Sequence, residues 1–365
     1  MDHKSEPHEA PEFSVQWKVK GDDGEDHLFR VNPGVADARR IRRMQYLLPD
    51  SQRRSLDELT DRLDLSVGDS SAKRSAFWIM LVLSAVIAIS GVAGDSTATV
   101  IGAMIVAPLS VPILGIGLGI ATGRGRLVGR SLLLVLAGVA VVILLGFLFA
   151  QLLPNPVSVL SNSQVQGRTS PTLMDLTAAL ATGLVAAVAI TRRDVGDVLP
   201  GVAIAISLVP PLAVVGVCLG SGAPALGLGA LVLFVSNVVA MILTTTAVLV
   251  GVGYGREAGA ATPRRGRAYL VLTAALVLVA LPMTVNSLAS LWAGQISDAA
   301  KDWLRDTPGA EVTDVTLQSD TATVSVLGPE QLPPMADLQH AVDGLMPWNP
   351  AVVVVHTVGE RVTGE

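Results

Sequence analysis

The sequence predicts an α-helical polytopic membrane protein: about seven spans, built as a 3+3 inverted repeat plus one span, with a small α+β soluble C-terminal domain. Three observations predict it. Half of the 365 residues are hydrophobic and only 16% are charged, where soluble domains carry about 25% charged residues. Seven apolar runs are long enough to cross a hydrocarbon core, which takes about 20 helical residues. Two of these runs, VIGAMIVAPLSVPILGIGLG at 100–119 and LPGVAIAISLVPPLAVVGVC at 199–218, are glycine-rich and carry proline in the middle.

The elements follow in chain order. Residues 1–72 form a polar cytoplasmic appendage. In it FSVQWKV and HLFRV pair as a hairpin across GDDGED, and DARRIRRMQYLL and SLDELTDRLDL read as short amphipathic helices. The polar start is not a secretory signal, so the first apolar run, beginning near Ala76, is expected to target the chain itself. The spans are 76–93, 96–121, 128–152, 172–191, 197–220, 224–252 and 268–292. The membrane domain covers 73–255, with repeats at about 76–152 and 172–252, and 256–293 hold a linker and the last span. Residues 294–365 read as an extracytoplasmic α+β domain of order α-β-β-α-β, with Ile296, Ala299, Trp303 and Leu304 on one helical face. Leu338, Val342 and Leu345 share a face of its second helix. This tail is expected to fold alone.

Arginine placement orients the spans. Arg39, Arg40, Arg42, Arg43, Arg53, Arg54, Arg62, Lys73 and Arg74 precede the first. Arg124, Arg126 and Arg130 follow the second, Arg192 and Arg193 the fourth, and Arg256, Arg264, Arg265 and Arg267 the sixth. The first and fifth loops have no Lys or Arg, and the third has Arg168. Such alternation puts the N-terminus in the cytoplasm and the C-terminus outside. The N-terminal arginines serve as a topology signal or meet anionic headgroups.

The repeat has a fixed offset. A shift of 99 residues carries Asp95 to Asp194, Gly102 to Gly201, Pro112 to Pro211 and Gly117 to Gly216. An odd number of crossings per copy inverts the second copy. Inverted repeats with interrupted helices are common in secondary transporters. A break frees backbone groups that must face protein or a water-filled cavity. Pro108, Ser110, Pro112, Ser207, Pro210, Pro211 and Asn237 are therefore candidates for a substrate pathway. The alternative is that the prolines kink the helices and the glycines permit close packing.

IGAMIVAPLSVPILGI and LPGVAIAISLVPPLAVVG resemble the two signature stretches of the domain-of-unknown-function 389 family, prokaryotic hydrophobic membrane proteins. The resemblance covers about 76–250. It implies a multi-span protein of a prokaryotic plasma membrane, with no assigned activity.

Asp95, Asp194 and Asp197 stand at span starts, as helix caps or as gates. Asp175 opens the fourth span. Asn237 is either an interhelical hydrogen bonder or a pathway residue. Thr244, Thr245 and Thr246 can bond their own helix carbonyls. The single cysteine, Cys218, allows no disulfide within the chain and no paired-cysteine metal site. His340 and His356 have no second ligand at useful spacing, and no metal or other cofactor is expected. No nucleophile–base pair or paired carboxylate lies in the spans, so no enzyme is expected. Aromatic residues make up 4%, little material for stacking bases, and no nucleic acid is expected. The expected partners are the lipid bilayer, further copies in a homo-oligomer, and a small solute or ion. The function so indicated is a transporter or channel. The other reading is a membrane-anchored sensor or scaffold.

Overall fold

The computed structural model describes residues 15–20, 26–31, 51–152, 161–195, 208–259, 262–318, 321–346 and 349–359. The expected hairpin is present: β1 (Val15–Lys20) pairs antiparallel with β2 (Asp26–Val31), Val15 opposite Val31. The helix expected from DARRIRRMQYLL lies outside the described residues.

From Arg54 onward the chain forms a separate unit. It opens with α1 (Leu56–Leu63), where the Ser55 side chain accepts from the Glu58 N–H, an N-cap bond that satisfies an otherwise orphaned donor. Leu56, Leu59 and Leu63 are buried and Asp57, Asp61 and Arg62 are exposed, which is the amphipathic pattern of its sequence.

The apolar runs become helices. They are α2 (Ser70–Ala93), α3 (Thr97–Val106), α4 (Ser110–Thr122), α5 (Gly125–Leu152), α6 (Ser163–Thr169), α7 (Leu173–Thr191), α8 (Val209–Gly220), α9 (Pro224–Val252), α10 (Tyr254–Glu257) and α11 (Thr262–Trp303). Five of these are long and apolar enough to cross a membrane: α2, α5, α7, α9 and residues 266–303 of α11. The α3–α4 pair qualifies together as a sixth, bent by 48°. Helix α8 is shorter, and the residues before Leu208 lie outside the described set. Leu133, Leu136 and Leu144 of α5 and Leu270, Leu278 and Leu281 of α11 are exposed. So large an apolar surface fits lipid and not water.

Two bundle ends emerge from the contacts. At one, residues 54–66 collect hydrogen bonds from Arg124, Arg130, Arg193 and Tyr254. At the other, the α2–α3 turn meets the start of α6, and Pro171 and Leu173 meet Asn286 and Ser287 of α11.

Helix α11 differs from expectation. It runs 42 residues without interruption, through Pro282 and through the 293/294 boundary, so the last span and the first helix of the C-terminal domain are one rod. Ile296, Ala300 and Leu304 near its end are buried with Ala322, Val324, Val326, Leu338, Val342, Met346 and Val352; Ala299 and Trp303 are half-buried beside them. Leu345, expected on the inner face, is exposed, and Met346 takes that place, because the final turn ends at Gly344 and rotates the face.

The domain's sheet has the order β3 (Glu311–Gln318), β4 (Thr321–Gly328), β5 (Ala351–Val358). β3 and β4 form an antiparallel hairpin. β5 lies parallel to β4, with Val324 opposite both Val315 and Val354. The crossover holds α12 (Met335–Asp343), as a parallel pair requires. Gln339 ties it to β5, its side-chain oxygen accepting from the Val352 N–H at 2.9 Å.

Candidate functional site

The site is built around the break between α3 and α4. Ala107 is extended, with φ −67° and ψ 121°. The proline after it explains this: Pro108 Cδ clashes with an α-helical conformation at the preceding residue, and Pro108 has no N–H to continue the ladder. A break leaves carbonyls of α3 without their i+4 donors. Near this end of α3 the buried Ser84 hydroxyl of α2 donates to the Ala103 carbonyl at 2.8 Å. Ser84 was not among the sequence candidates. The signal for it was a polar residue in the middle of an apolar span. Ser84→Ala should lower the stability of the detergent-solubilised protein by about 1 kcal/mol, with Ser84→Thr retaining most of it. Thermal midpoints of the purified variants check this.

The other prolines lie in the first turns of described helices. Pro112 is the third residue of α4; Pro210 and Pro211 are the second and third of α8. The first four N–H groups of a helix have no intrahelical partner, so proline there forfeits nothing. Pro112 therefore does not interrupt α4, whose break lies at Ala107, while a break just before Pro210 and Pro211 would fall outside the described residues. Pro108 and Ser110 are half-buried, and Pro112, Pro210 and Pro211 are buried. Ser207, Gly201 and Asp197 lie outside the described residues.

The two proline stretches do not come together through α4 and α8. Helix α4 packs on α9, and α8 packs on α5. Glycine makes both crossings close. A Cβ added at Gly117 would lie 2.7 Å from Thr245 Cγ2 and 3.5 Å from the Ile242 oxygen. A Cβ at Gly216 would lie 2.5 Å from the Ile143 oxygen and 2.8 Å from Gly146 Cα. A Cβ on Gly102, by contrast, would meet nothing within 4 Å among the described residues. Thr244 and Thr246 donate to carbonyls of their own helix, Ala240 and Ile242, as their sequence suggested. The hydroxyl of Thr245 is fully buried at the α4–α9 crossing without a partner. Asn237 is buried in α9.

The aspartates divide. Ser96, not Asp95, is the N-cap of α3, its hydroxyl accepting from Thr99 N–H. Asp95 has φ +47°, a conformation aspartate tolerates, and it reaches across to the start of α6. There it accepts from the Ser163 hydroxyl at 2.7 Å and the Gln164 N–H at 3.1 Å. The Ser163 hydrogen bond first, helped by the Gln164 N–H, holds the Asp95 carboxyl below its ordinary range against the opposing desolvation. Gln164 donates onward to Thr97, and Asn162 to the Val92 carbonyl. Asp194 instead pairs with Arg192, which lowers its carboxyl pKa. Asp175 accepts from both the N–H and the hydroxyl of Thr172 at the start of α7.

A family model, described as "Domain of unknown function (DUF389)", matches residues 104–243, which include α4, α5, α7 and α8 and most of α9. Among curated proteins the chain is similar to an uncharacterised protein of Methanocaldococcus jannaschii, MJ0678. The two are 33% identical over 177 residues, covering 48% of this chain and 53% of that relative. The chain thus matches about half the length of this relative. No solved structure matches the chain. Residues 104–243 of the chain thus match the model of the DUF389 family.

Proposed function

We propose that the protein is a transporter or channel for a small solute or ion, working through two interrupted helices in inverted repeats. The observation that carries this reading is the offset in the glycine crossings. Gly117 rests on Ile242 and Thr245, while Gly216 rests on Ile143 and Gly146. All three positions differ by 99, the offset of the sequence repeat. A second pair repeats it within each copy: Gly119 faces Val128, and Gly227 faces Cys218. The second helix of each copy thus packs on the third helix of the other, a swapped arrangement that suits two elements rocking against each other.

The reading takes seven crossings, counting α8 as one. Successive connections alternate between the end that holds residues 54–66 and the end that holds the α2–α3 turn. The arginine-bearing connections share the first end, which the positive-inside rule makes cytoplasmic. The C-terminal domain is then extracytoplasmic, in a prokaryotic plasma membrane. In a Cys218→Ser background, Thr316→Cys should react with an impermeant thiol reagent on intact cells, and Ser71→Cys should react only after lysis. Labelling of Ser71→Cys alone on intact cells reverses the orientation.

The transport reading is tested in liposomes holding purified protein, by the flux of small inorganic ions and uncharged solutes. Flux no greater than in empty liposomes across that panel counts against it. The second reading, a sensor or scaffold, is favoured by one feature. Helix α11 passes from the bundle into the C-terminal domain as one rod, so a force or ligand on that domain reaches the bilayer directly.

A further inference from the structure

The segment at 54–69 sits inside the bundle, not beside it. Leu56, Leu59, Leu63 and Leu65 belong to the same buried core as the spans. The carbonyl oxygen of Leu63 lies 2.9 Å from where a Cβ on Gly115 would stand, and Ser131 Oγ lies at the same distance from that point. Gly115 is seven residues before the end of α4 and Ser131 six after the start of α5. At 1.5 Å per residue, both lie about 10 Å in from the helix ends. The segment therefore reaches two helical turns deep, between α4 and α5.

Every connection at this end holds it. Arg124 donates to the Thr60 hydroxyl at 2.9 Å and Arg130 to the Ser66 hydroxyl at 2.8 Å. Arg193 pairs with Glu58 at 2.5 Å and Lys73 with Asp61 at 2.6 Å. The Arg54 N–H donates to the Thr191 carbonyl, and its own carbonyl accepts from the buried Tyr254 hydroxyl at 2.6 Å. The polar contacts are largely solvent-accessible, and exposed ion pairs are individually weak and reversible. An eight-residue helix has little stability of its own, so α1 depends on its apolar face in the bundle. This combines deep insertion with release by exchange of a few surface bonds for water.

We propose that residues 54–69 are a plug that closes the arginine-bearing mouth of the bundle and withdraws as a unit when that mouth opens. Its consequence for flux rests on the transport reading above, but its presence as a seal does not. Ser131 lies beneath it and is buried, so Ser131→Cys, in a Cys218→Ser background, reports the seal. The purified protein in detergent is labelled with a bulky, charged maleimide. Leu59→Asp should unseat the apolar face and raise the labelling rate at least tenfold, with helicity and monodispersity kept. Glu58→Arg should raise the rate a few-fold, and adding Arg193→Glu should return it to that of the parent. The charge swap keeps the test open if Leu59→Asp fails to fold. A rate unchanged by Leu59→Asp in folded protein overturns the plug, as does a Glu58→Arg rate equal to that of the parent. Faster labelling with no flux in any variant keeps the plug and counts against transport.

Discussion

Gly216→Ala should cost the folded protein about 2–3 kcal/mol, and Gly216→Leu should leave little folded protein to purify. The new Cβ would stand 2.5 Å from the Ile143 oxygen and 2.8 Å from Gly146 Cα. Both are backbone atoms, so no rotamer change relieves the collision, and α5 and α8 must part. Their separation would strip contacts along the whole crossing, since a radial gap of an ångström forfeits much of the dispersion energy. Gly117→Ala should cost less, because its nearest neighbours are side-chain atoms of Thr245. Gly102→Ala has open space and should be neutral or stabilising by up to about 1 kcal/mol through helix propensity. Thermal midpoints of the three alanine variants in one detergent rank them. Gly216→Ala as stable as Gly102→Ala would mean that α5 and α8 do not cross as described.

The second large effect belongs to Pro108. Its ring forces Ala107 out of the helical region, so Pro108→Ala allows residues 97–122 to run as one helix. A mid-helix proline costs about 3 kcal/mol relative to alanine, and each 1.4 kcal/mol is a factor of ten in a conformational equilibrium. If the break shapes the pathway, flux should fall about tenfold or more as the straight form takes over, while thermal stability stays level or rises. Pro112→Ala and Pro211→Ala should change flux little, since both prolines occupy first turns. Parent-like flux in Pro108→Ala would reduce the break to a structural bend. Loss of flux in Pro112→Ala alone would assign the pathway to the buried face of α4.

Much of the membrane part was legible in the residues. The apolar runs at 76–93, 128–152, 172–191 and 224–252 became helices within a few residues of those bounds. The β3–β4 hairpin and a strand at 351–358 also formed, but that strand is mostly exposed, with Val352 its buried residue. What misled was the treatment of prolines and glycines as equivalent by type. Pro108 and Pro112 are four residues apart, yet only the first imposes an extended neighbour. Gly102 and Gly117 both repeat at an offset of 99, yet one faces open space and the other a close helix.

The hidden parts have a common cause. Ser84 matters because its hydroxyl reaches the Ala103 carbonyl, 19 residues away near the end of α3. Tyr254 is buried because its hydroxyl reaches the Arg54 carbonyl across 200 residues of sequence. Nothing within either local stretch names the partner. The plug was read from its sequence as a short amphipathic helix of a cytoplasmic appendage, and its depth depends on Gly115, which lacks the side chain that would have kept the Leu63 carbonyl out.

By itself, the sequence determined that this chain belongs in a bilayer, where its apolar runs lie and which connections carry positive charge. These are sums over neighbouring residues: transfer free energy accumulates along a run, and charge stays with its loop. Only the tertiary structure decided which proline bends a span, which glycines are crossings and what fills the arginine-bearing end. The last two belong to pairs of segments far apart in sequence, from Leu63 and Gly115 to Arg54 and Tyr254. They exist only once close packing has chosen the neighbours.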